Sequence, residues 1–393
     1  MTNPLSPDEQ LLAWMTDIRR TLHQHPELAL QEFRTAEYVS AKLAELGIAH
    51  QNGIAGTGIA AFIGEKKNGA RSVALRADMD ALPITEKTGL PFASQHDGVM
   101  HACGHDGHMA MLLGAAALLK KQARLPGRVV LLFQPAEEDE GGAEKMIAAG
   151  VLMGVDAIFG GHIERHYAVG EIAVQPGLIC AFTDEFRINI RGPGGHAAKP
   201  HESADCIVAA AFLVTSLQTL VARETNPVYP AVVTVGKIHG GTASNVIADQ
   251  VVLEGTIRTT HIAARENIFE SLRRMALAVR DLYRTETELT LTPGYPPVIN
   301  DQKIAEVARQ AARQTVGENG VKSQPYPSLG GEDFSFYLKH IPGCFVRFGA
   351  RRDDLPHANA HSPVFDFDER VLPVGAEFLA RCALLFLQQA ARD

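Results

Sequence analysis

Residues 129–138 read VVLLFQPAEE, a short apolar stretch that ends abruptly in two carboxylates. An apolar run of this length, bounded by polar residues, is typical of a strand buried in a parallel sheet. Similar runs occur at residues 72–76 and 156–160, and helical patterns lie between the runs at residues 108–122 and 142–149. This alternation predicts an α/β fold with a mainly parallel sheet flanked by helices.

Polar side chains follow each of these predicted strands. Asp78 and Asp80 follow the first run, Glu137 and Glu138 the second, and His162 the third. In sheets of this kind, active-site residues collect at the carboxyl ends of the strands. Four consecutive acids at residues 137–140 are by themselves more typical of a solvated charge run. Their place after an apolar strand favours a division of labour in which one carboxylate binds metal while its neighbour acts as a base.

The densest cluster of potential metal ligands is MHACGHDGH, residues 100–108. Imidazole and thiolate hold borderline-soft divalent metals well, and Cys103 and His105 flank a single Gly, so both side chains can point at one centre. We predict a metal site here, in a loop between Gly-rich turns rather than along a helix face. Two other interpretations stay open: a polar loop whose His residues bond backbone groups, and a Cys103 nucleophile with His105 as its base.

A different pattern begins near residue 184. Apolar residues at 186, 188 and 190 alternate with polar ones, as in a half-exposed strand. Predicted helices at 204–222 and 264–283, with strands at 231–238, 251–258 and 286–291, complete a β-α-β-β-α-β order, which is ferredoxin-like. We therefore predict an inserted α+β domain at residues 184–294, which the Pro-rich residues 293–297 end.

The rest of the chain, residues 1–183 and 295–393, is predicted to form the metal-binding domain. Its first helix is expected to begin after Ser6 as the N-cap, with Pro7 at the first helical position. A second helix is expected to end at Gly47. A strand at residues 344–348 and an apolar helix from about residue 372 complete this domain.

Composition narrows the class of protein. The chain of 393 residues is 46% apolar and 21% charged, as in ordinary soluble globular proteins. A net charge of −8 argues against nucleic acid or an anionic membrane as a partner. We see no signal-peptide pattern and no run of about 18 apolar residues, and we expect a cytoplasmic protein. The five scattered cysteines favour reduced thiols over a disulfide framework.

Eight motifs, in this order along nearly the whole chain, resemble those of the M20 metallopeptidase family, in particular its aminoacylase, hippurate hydrolase and auxin-conjugate hydrolase branch. They are LHQHPEL (22–28), RADMDALP (76–83), MHACGHDGH (100–108), QPAEE (134–138), GPGGHA (192–197), NVI (245–247), GEDF (331–334) and HSP (361–363).

The resemblance implies a site with two divalent metal ions, zinc, manganese, cobalt or nickel. The metal ligands that it implies are Cys103, His105, Glu138, His162 and His361. It further implies that Glu137 is the general base and that Asp78 orients the metal site without binding metal. The inserted domain would be a lid that closes over substrate and forms a homodimer, and its His196 would reach the active site of the partner subunit.

Our hypothesis from these residues is hydrolysis of the amide bond in an N-acyl amino acid. Glu137 would take the proton of a metal-activated water and pass it to the leaving amine, while His196 helps to stabilise the oxyanion. Asn245 and Arg258 are candidates for binding the substrate carboxylate. Two alternatives are a cysteine hydrolase and a non-catalytic binding protein on the same scaffold.

Three departures from the family pattern concern the borders of the site. They are residues 163–167 after His162, Ala248 in place of a Pro, and the acidic residues 139–140. None removes a predicted ligand or the base, so activity is expected and the preferred acyl group stays open.

Overall fold

Helices and strands follow one another along residues 5–65, 69–355 and 359–389, which the computed structural model describes. Residues 1–4 and 390–393, the two ends of the predicted metal-binding domain, lie outside the described residues. The α-helices are α1 (Glu9–Gln24), α2 (Phe33–Glu45), α3 (His105–Lys120), α4 (Gly142–Ala148), α5 (Cys206–Thr219), α6 (Ile262–Tyr283), α7 (Gln302–Val316), α8 (Phe334–Leu338) and α9 (Val371–Gln389).

The strands are mostly short, and several have only two to four residues. They are β1 (Ala49–Ile54), β2 (Gly58–Ile63), β3 (Ser72–Asp78), β4 (Arg128–Gln134), β5 (Ala157–Glu164), β6 (Ile172–Ala173), β7 (Gly177–Cys180), β8 (Phe182–Arg191), β9 (Gly195–His196), β10 (Ala231–Gly240), β11 (Val246–Ile247), β12 (Gln250–Thr259), β13 (Glu286–Pro293), β14 (Val298–Asn300), β15 (Val321–Lys322) and β16 (Gly343–Gly349).

The chain divides into two compact units. Unit 1 comprises Met1–Gly177, Val298–Pro325 and Asp333–Asp393, and unit 2 comprises Leu178–Pro297 and Tyr326–Glu332. The inserted domain predicted at residues 184–294 lies within the long segment of unit 2. The short segment Tyr326–Glu332 belongs to unit 2 as well, although the sequence pattern places it in the metal-binding domain.

Unit 1 is built on an eight-stranded sheet in the order β1-β2-β4-β3-β5-β16-β6-β15. Its four central strands, β4, β3, β5 and β16, are parallel neighbours. β1 pairs antiparallel with β2, β2 with β4, and β6 with β16, while β6 and β15 are parallel. This sheet with its covering helices confirms the predicted α/β class. β3 and β16 are buried along their whole length, which fits the apolar residues at 73–75 and 344–346.

Two glycines let the helices of unit 1 approach closely. A Cβ at Gly114 of α3 would lie 2.2 Å from the sulfur of Met15, and one at Gly375 of α9 would lie 2.2 Å from the sulfur of Met111. Both distances are far below van der Waals contact, so a side chain at either position would have to displace a buried methionine between the helices.

Unit 2 is built on a four-stranded antiparallel sheet in the order β10-β12-β8-β13, with α5 and α6 packed against it. This is the predicted ferredoxin-like arrangement. Phe186, Ile188 and Ile190 are buried and the residues between them are more exposed, as their alternation predicts. The apolar helix α5 is different, since Ile207, Val208 and Phe212 are about half exposed.

Three local predictions were wrong. The N-cap of α1 is Asp8 rather than Ser6, because the Asp8 carboxylate accepts a hydrogen bond from the N–H of Leu11 at 2.8 Å. Residues 105–108 form the first turn of α3 instead of a loop, since Gly104 takes a left-handed conformation (φ 95°) that lets the helix begin there. His162 lies inside β5, not after its end.

Candidate metal centre

The predicted ligands and base of unit 1 come together at the carboxyl edge of the central strands. Asp78 is the last residue of β3, and Glu137 and Glu138 follow β4 by three and four residues. His162 lies near the end of β5, which neighbours β3. Because β4, β3 and β5 are adjacent and parallel, their ends meet at one edge, as the sequence predicts.

The five predicted ligands form one continuous cluster. Sγ of Cys103 lies 3.3 Å from Nε2 of His162. Oε1 of Glu138 lies 3.8 Å from Nε2 of His105 and 3.3 Å from Nε2 of His361. Possible ligand atoms within 4.8 Å of one another form several groups of three, and three of these groups contain at least two predicted ligands and overlap: Cys103, His105 and His162; Cys103, Glu138 and His361; and His105, Glu138 and the predicted base Glu137.

Two buried atoms of this cluster make no hydrogen bond within the described part of the chain. They are Nε2 of His105 and Oε1 of Glu138, and both face the cluster. A buried polar atom without a partner is costly, so each such atom calls for a missing partner. A thiolate, imidazoles and a carboxylate around one space are the donor set of a zinc-like divalent metal. The residues present therefore fit a metal ion.

The charges around His105 point the same way. Burial opposes protonation of His105, but the carboxylates of Asp78 and Asp80 outweigh it and raise the pKa of His105 to about 10. Burial likewise opposes ionisation of Glu138, yet His361 and His105 lower its pKa. This site has a surplus of negative charge and stabilises a cation, which a divalent ion supplies.

The same surroundings disfavour Cys103 as a nucleophile. Burial raises the pKa of its thiol well above the ordinary value, and the carboxylates of Glu138 and Glu137 raise it further. A reactive thiol needs the opposite, a depressed pKa beside a base. Sγ also lies 3.3 Å from Nε2 of His162, the imidazole with which it makes a hydrogen bond. A coordinated metal ion is the partner that would hold this group as a thiolate.

Asp80, which the sequence analysis places at a strand end without a specific role, is buried and positions three residues of the site. Its Oδ1 accepts the N–H of Glu137 at 3.0 Å, and its Oδ2 accepts the N–H of Glu138 at 2.9 Å. Its backbone carbonyl accepts a hydrogen bond from Nδ1 of His105 at 2.9 Å, which turns Nε2 toward the cluster. The sequence places Asp80 at a strand end, but its partners are 57 and 58 residues away, so local pattern does not reveal this role.

Glu32 holds the backbone of Ala136, the residue before Glu137, in the same way. Its Oε1 accepts the N–H of Ala136 at 2.9 Å, and its Oε2 accepts the hydroxyl of Thr57 at 2.6 Å. Ala136 has a left-handed backbone (φ 57°), which is unfavourable for a residue with a side chain. Three consecutive N–H groups, those of residues 136–138, are thus held by buried carboxylates, and the strained turn before Glu137 is fixed by them.

Asp78 lies where the resemblance places it, beside the cluster. Its Oδ2 is 2.6 Å from Nη1 of Arg76 and 3.8 Å from Nε2 of His105. Burial opposes its ionisation, but His105, His108 and Arg76 hold the pKa of Asp78 well below its usual range. Arg76 also donates to Gln134 and Asp333, so this carboxylate is fixed by a buried network under the sheet edge.

The remaining predicted residues belong to unit 2. His196 and Asn245 are exposed and lie together, since β9 pairs with β11 and the N–H of Ala197 donates to the carbonyl of Asn245 at 3.1 Å. Nδ1 of His196 accepts the N–H of Ala198 at 3.0 Å, which leaves Nε2 outward. Arg258 instead lies on β12, where it donates to the backbone carbonyls of Ile257 and Asp184.

Comparison with known proteins agrees with this geometry. Residues 74–385 match the model of peptidase family M20/M25/M40. The chain is 44% identical to the N-acetyl-L-cysteine deacetylase of Bacillus subtilis (strain 168), over 93% of this chain and 86% of that protein. It is 41% identical to IAA-amino acid hydrolase ILR1-like 4 of Arabidopsis thaliana, over 95% and 86%.

Among solved structures, the YXEP protein of Bacillus subtilis is described as a dinuclear metal-binding peptidase of the M20 family. It superposes with a TM-score of 0.83 and 38% identity, over 97% of this chain and 99% of that chain. The chain therefore belongs to peptidase family M20/M25/M40, as its motifs predict, and is a metal-dependent amidohydrolase.

Proposed function

We propose that the protein hydrolyses the amide bond of N-acyl amino acids and holds two divalent metal ions while doing so. The observation that carries the proposal is the cluster of Cys103, His105, Glu138, His162 and His361, whose Cys103 and His105 are buried. The buried carboxylate of Glu137 lies beside this cluster and is not one of the five proposed ligands. The relatives supply the substrate class: one deacetylates N-acetyl-L-cysteine and another is an IAA-amino acid hydrolase, so both act on an acyl group carried by an amino acid.

Glu137 is the proposed general base. When bound, the metal ions would lower the pKa of a water molecule and polarise the amide carbonyl. Glu137 would take a proton from the attacking water and return it to the leaving nitrogen. Glu137 is 7% exposed, and its Oε1 accepts the N–H of Asp333 at 3.4 Å. The backbone clamp of Asp80 fixes the base relative to Glu138.

Unit 2 is proposed to bind the substrate and a second copy of the chain. His196 is the proposed oxyanion donor, and Asn245 and Arg258 are proposed to bind the substrate carboxylate. A homodimer is supported by the half-exposed apolar residues Ile207 and Phe212 of α5 and by β10, a long edge strand. A cytoplasmic location is supported by Cys103, Cys206, Cys344 and Cys382, which are buried and form no disulfide.

The experiment is release of free amino acid from a panel of N-acyl amino acids. Purified protein is reloaded separately with zinc, manganese, cobalt and nickel, and metal content is measured in each sample. We expect release that EDTA abolishes and metal restores. Activity that survives metal removal would contradict the metal-dependent mechanism. Silence across the panel at full metal content would contradict the proposed substrate class.

Two neighbouring carboxylates provide matched variants. Glu137→Gln is expected to lower kcat by roughly 10²–10⁴-fold, the usual contribution of a general base, with metal content unchanged. Glu138→Gln is expected to lower the metal content itself, because Glu138 is a proposed ligand. Near-normal turnover in Glu137→Gln would show that Glu137 is not the base. Full metal content in Glu138→Gln would show that Glu138 is not a metal ligand.

A further inference from the structure

A fully buried histidine beside the metal centre, His108, has no role in the mechanism above. It lies in the first turn of α3 and is 3% exposed. Its Nδ1 donates to Oδ1 of Asp78 at 2.6 Å, and its Nε2 accepts the N–H of Ile163 at 2.9 Å. Both ring nitrogens are therefore occupied by protein groups. His108 is not a further metal ligand, although it lies close to Asp78 and His105.

The two hydrogen bonds also fix the form of the ring. A nitrogen that accepts a hydrogen bond from a backbone N–H carries no proton of its own, so Nε2 is unprotonated and the proton is on Nδ1. Each end of the ring therefore matches one fixed partner, an acceptor at Asp78 and a donor at Ile163. An apolar side chain of similar size would fill the space but satisfy neither partner, and both partners are buried.

The bond to Ile163 reaches a metal ligand through a single peptide unit. The carbonyl of Ile163 accepts a hydrogen bond from Nδ1 of His162 at 2.6 Å. That bond directs Nε2 of His162 to Cys103, 3.3 Å away. The rings of His108 and His162 are also in edge-to-face contact, with centroids 4.8 Å apart. Thus His108 holds the backbone that sets the orientation of His162 and limits tilting of its ring.

The bond to Asp78 reaches the other side of the cluster. Oδ2 of Asp78 is 3.8 Å from Nε2 of His105, the atom that faces the metal space. One side chain therefore connects β3, which carries Asp78, with β5, which carries His162, and it does so from α3, which carries His105. A displacement of His108 would change the spacing of ligands that come from three separate elements.

We propose that His108 is a positioning residue, which fixes the ring of His162 through the Ile163 peptide and the carboxylate of Asp78, so that the ligands on β5 and α3 keep one spacing. The proposal rests on the proposed function in that it takes His162 and His105 as metal ligands. Partners of this kind behind metal-binding histidines change metal affinity by about 10–100-fold when they are removed.

Two amides separate the two hydrogen bonds. In His108→Asn the amide nitrogen takes the place of Nδ1 and keeps the bond to Asp78, but nothing accepts the N–H of Ile163. In His108→Gln the amide oxygen reaches the place of Nε2 and keeps the bond to Ile163. His108→Leu loses both. His101→Leu is the control, because His101 is equally buried in the same motif and makes no hydrogen bond through its ring within the described residues.

The measurements are metal affinity, by competition with a chelator, and the visible spectrum of the cobalt-loaded protein, which reports the geometry of the thiolate and imidazole ligands. We expect His108→Asn and His108→Leu to lose about 10–100-fold in affinity for one metal ion and to change the cobalt spectrum. We expect His108→Gln and His101→Leu to stay within a few-fold of the wild type with an unchanged spectrum.

Unchanged affinity and spectrum in His108→Asn would overturn the proposal, and so would equal changes in His101→Leu. If His108→Leu does not fold, the comparison of the Asn and Gln variants still decides. The readouts do not depend on substrate: cobalt binding without turnover would refute the proposed function alone, whereas normal wild-type turnover with silent His108 variants would refute this inference alone. A wild-type protein that binds no cobalt would refute both.

Discussion

The two units differ in how much of an apolar helix they bury. In unit 1, α9 is long and apolar enough to cross a membrane by length and composition, and so is the helical segment Cys206–Glu224 of unit 2. Within the most apolar stretch of each helix, 67% of the residues of α9 are buried, but only 33% of those in the segment of unit 2. Core helices of water-soluble proteins meet the same criterion, so composition alone does not distinguish a helix covered by its own unit from one that leaves an apolar face outside.

The two units also contain ion pairs that differ in exposure. Unit 1 buries Arg19 completely and pairs it with Asp106 at 2.9 Å and Asp366 at 2.8 Å. In unit 2, Arg274 pairs with Glu224 at 2.6 Å but is 61% exposed. The Arg19 network of unit 1 is thus buried, whereas the Arg274–Glu224 pair of unit 2 lies in water, although unit 2 also has a mostly buried pair, Arg265–Asp184. Substitutions that are chemically alike should therefore have unlike effects in the two units.

The largest effect is expected from the two arginines. Arg19→Leu removes the buried cation that Asp106 and Asp366 share and leaves them with only His23 and Arg352, which should lower the free energy of unfolding by about 3–5 kcal/mol. Arg274→Leu removes an exposed pair and should cost at most about 1 kcal/mol. Urea unfolding in EDTA measures both without a contribution from bound metal. Similar losses in the free energy of unfolding of the two variants would mean that the buried pairs contribute no more to stability than the exposed pair.

A smaller contrast is expected between the two apolar helices. Leu379→Ala in α9 removes a side chain that is 3% exposed and should cost about 3 kcal/mol. Phe212→Ala in α5 removes one that is 46% exposed, so unfolding of the dilute protein should change by about 1 kcal/mol or less. The same variant should weaken the proposed dimer in sedimentation experiments. A dimer that is indifferent to Phe212 would show that this face is not the interface.

The smallest effect concerns pH and the buried histidine of unit 1, His23. Burial opposes its protonation, but hydrogen bonds to Asp106 and Glu86 outweigh burial and raise the pKa of His23. Both carboxylates have depressed pKa values and stay ionised at pH 6. A raised histidine pKa contributes stability that is fully present below about pH 6.5 and is lost as pH rises through the folded pKa.

His23→Asn keeps a donor near Asp106 but cannot carry the proton. The free energy of unfolding of the wild type should therefore exceed that of the variant by about 1–2 kcal/mol at pH 6, as for a hydrogen bond between charged groups. The difference should be smaller at pH 9. Urea unfolding at the two pH values measures this difference. A gap that widens toward pH 9 would mean that His23 is neutral in the folded protein.

The parts of the site that were predicted from sequence are those that local pattern encodes. An apolar run followed by acids is visible without knowledge of distant residues, which is why Asp78, Glu137 and Glu138 were found at strand ends. His361 was indicated mainly by resemblance, because its spacing carries no information, and the structure brings it to within 3.3 Å of Glu138.

The carboxylates that hold the backbone beside the site were not predicted to do so, for a physical reason. Asp80 acts on N–H groups 57 and 58 residues away, and Glu32 acts on Ala136, 104 residues away. Such pairs exist only once the sheet has formed. The left-handed backbone of Ala136 is likewise imposed by the tertiary structure, since an alanine does not favour it. The edge strand β1 was missed because its residues are mostly polar and exposed.

The insertion of unit 2 into unit 1 has a consequence for synthesis. β16 lies between β5 and β6 in the sheet of unit 1, yet 178 residues separate the end of β5 at Glu164 from the start of β16 at Gly343. α9, which covers α3, comes later still. A growing chain on the ribosome therefore carries the open edge of β5 while the long segment of unit 2 is made, and that segment can fold first. Chaperone dependence should be greatest in that interval.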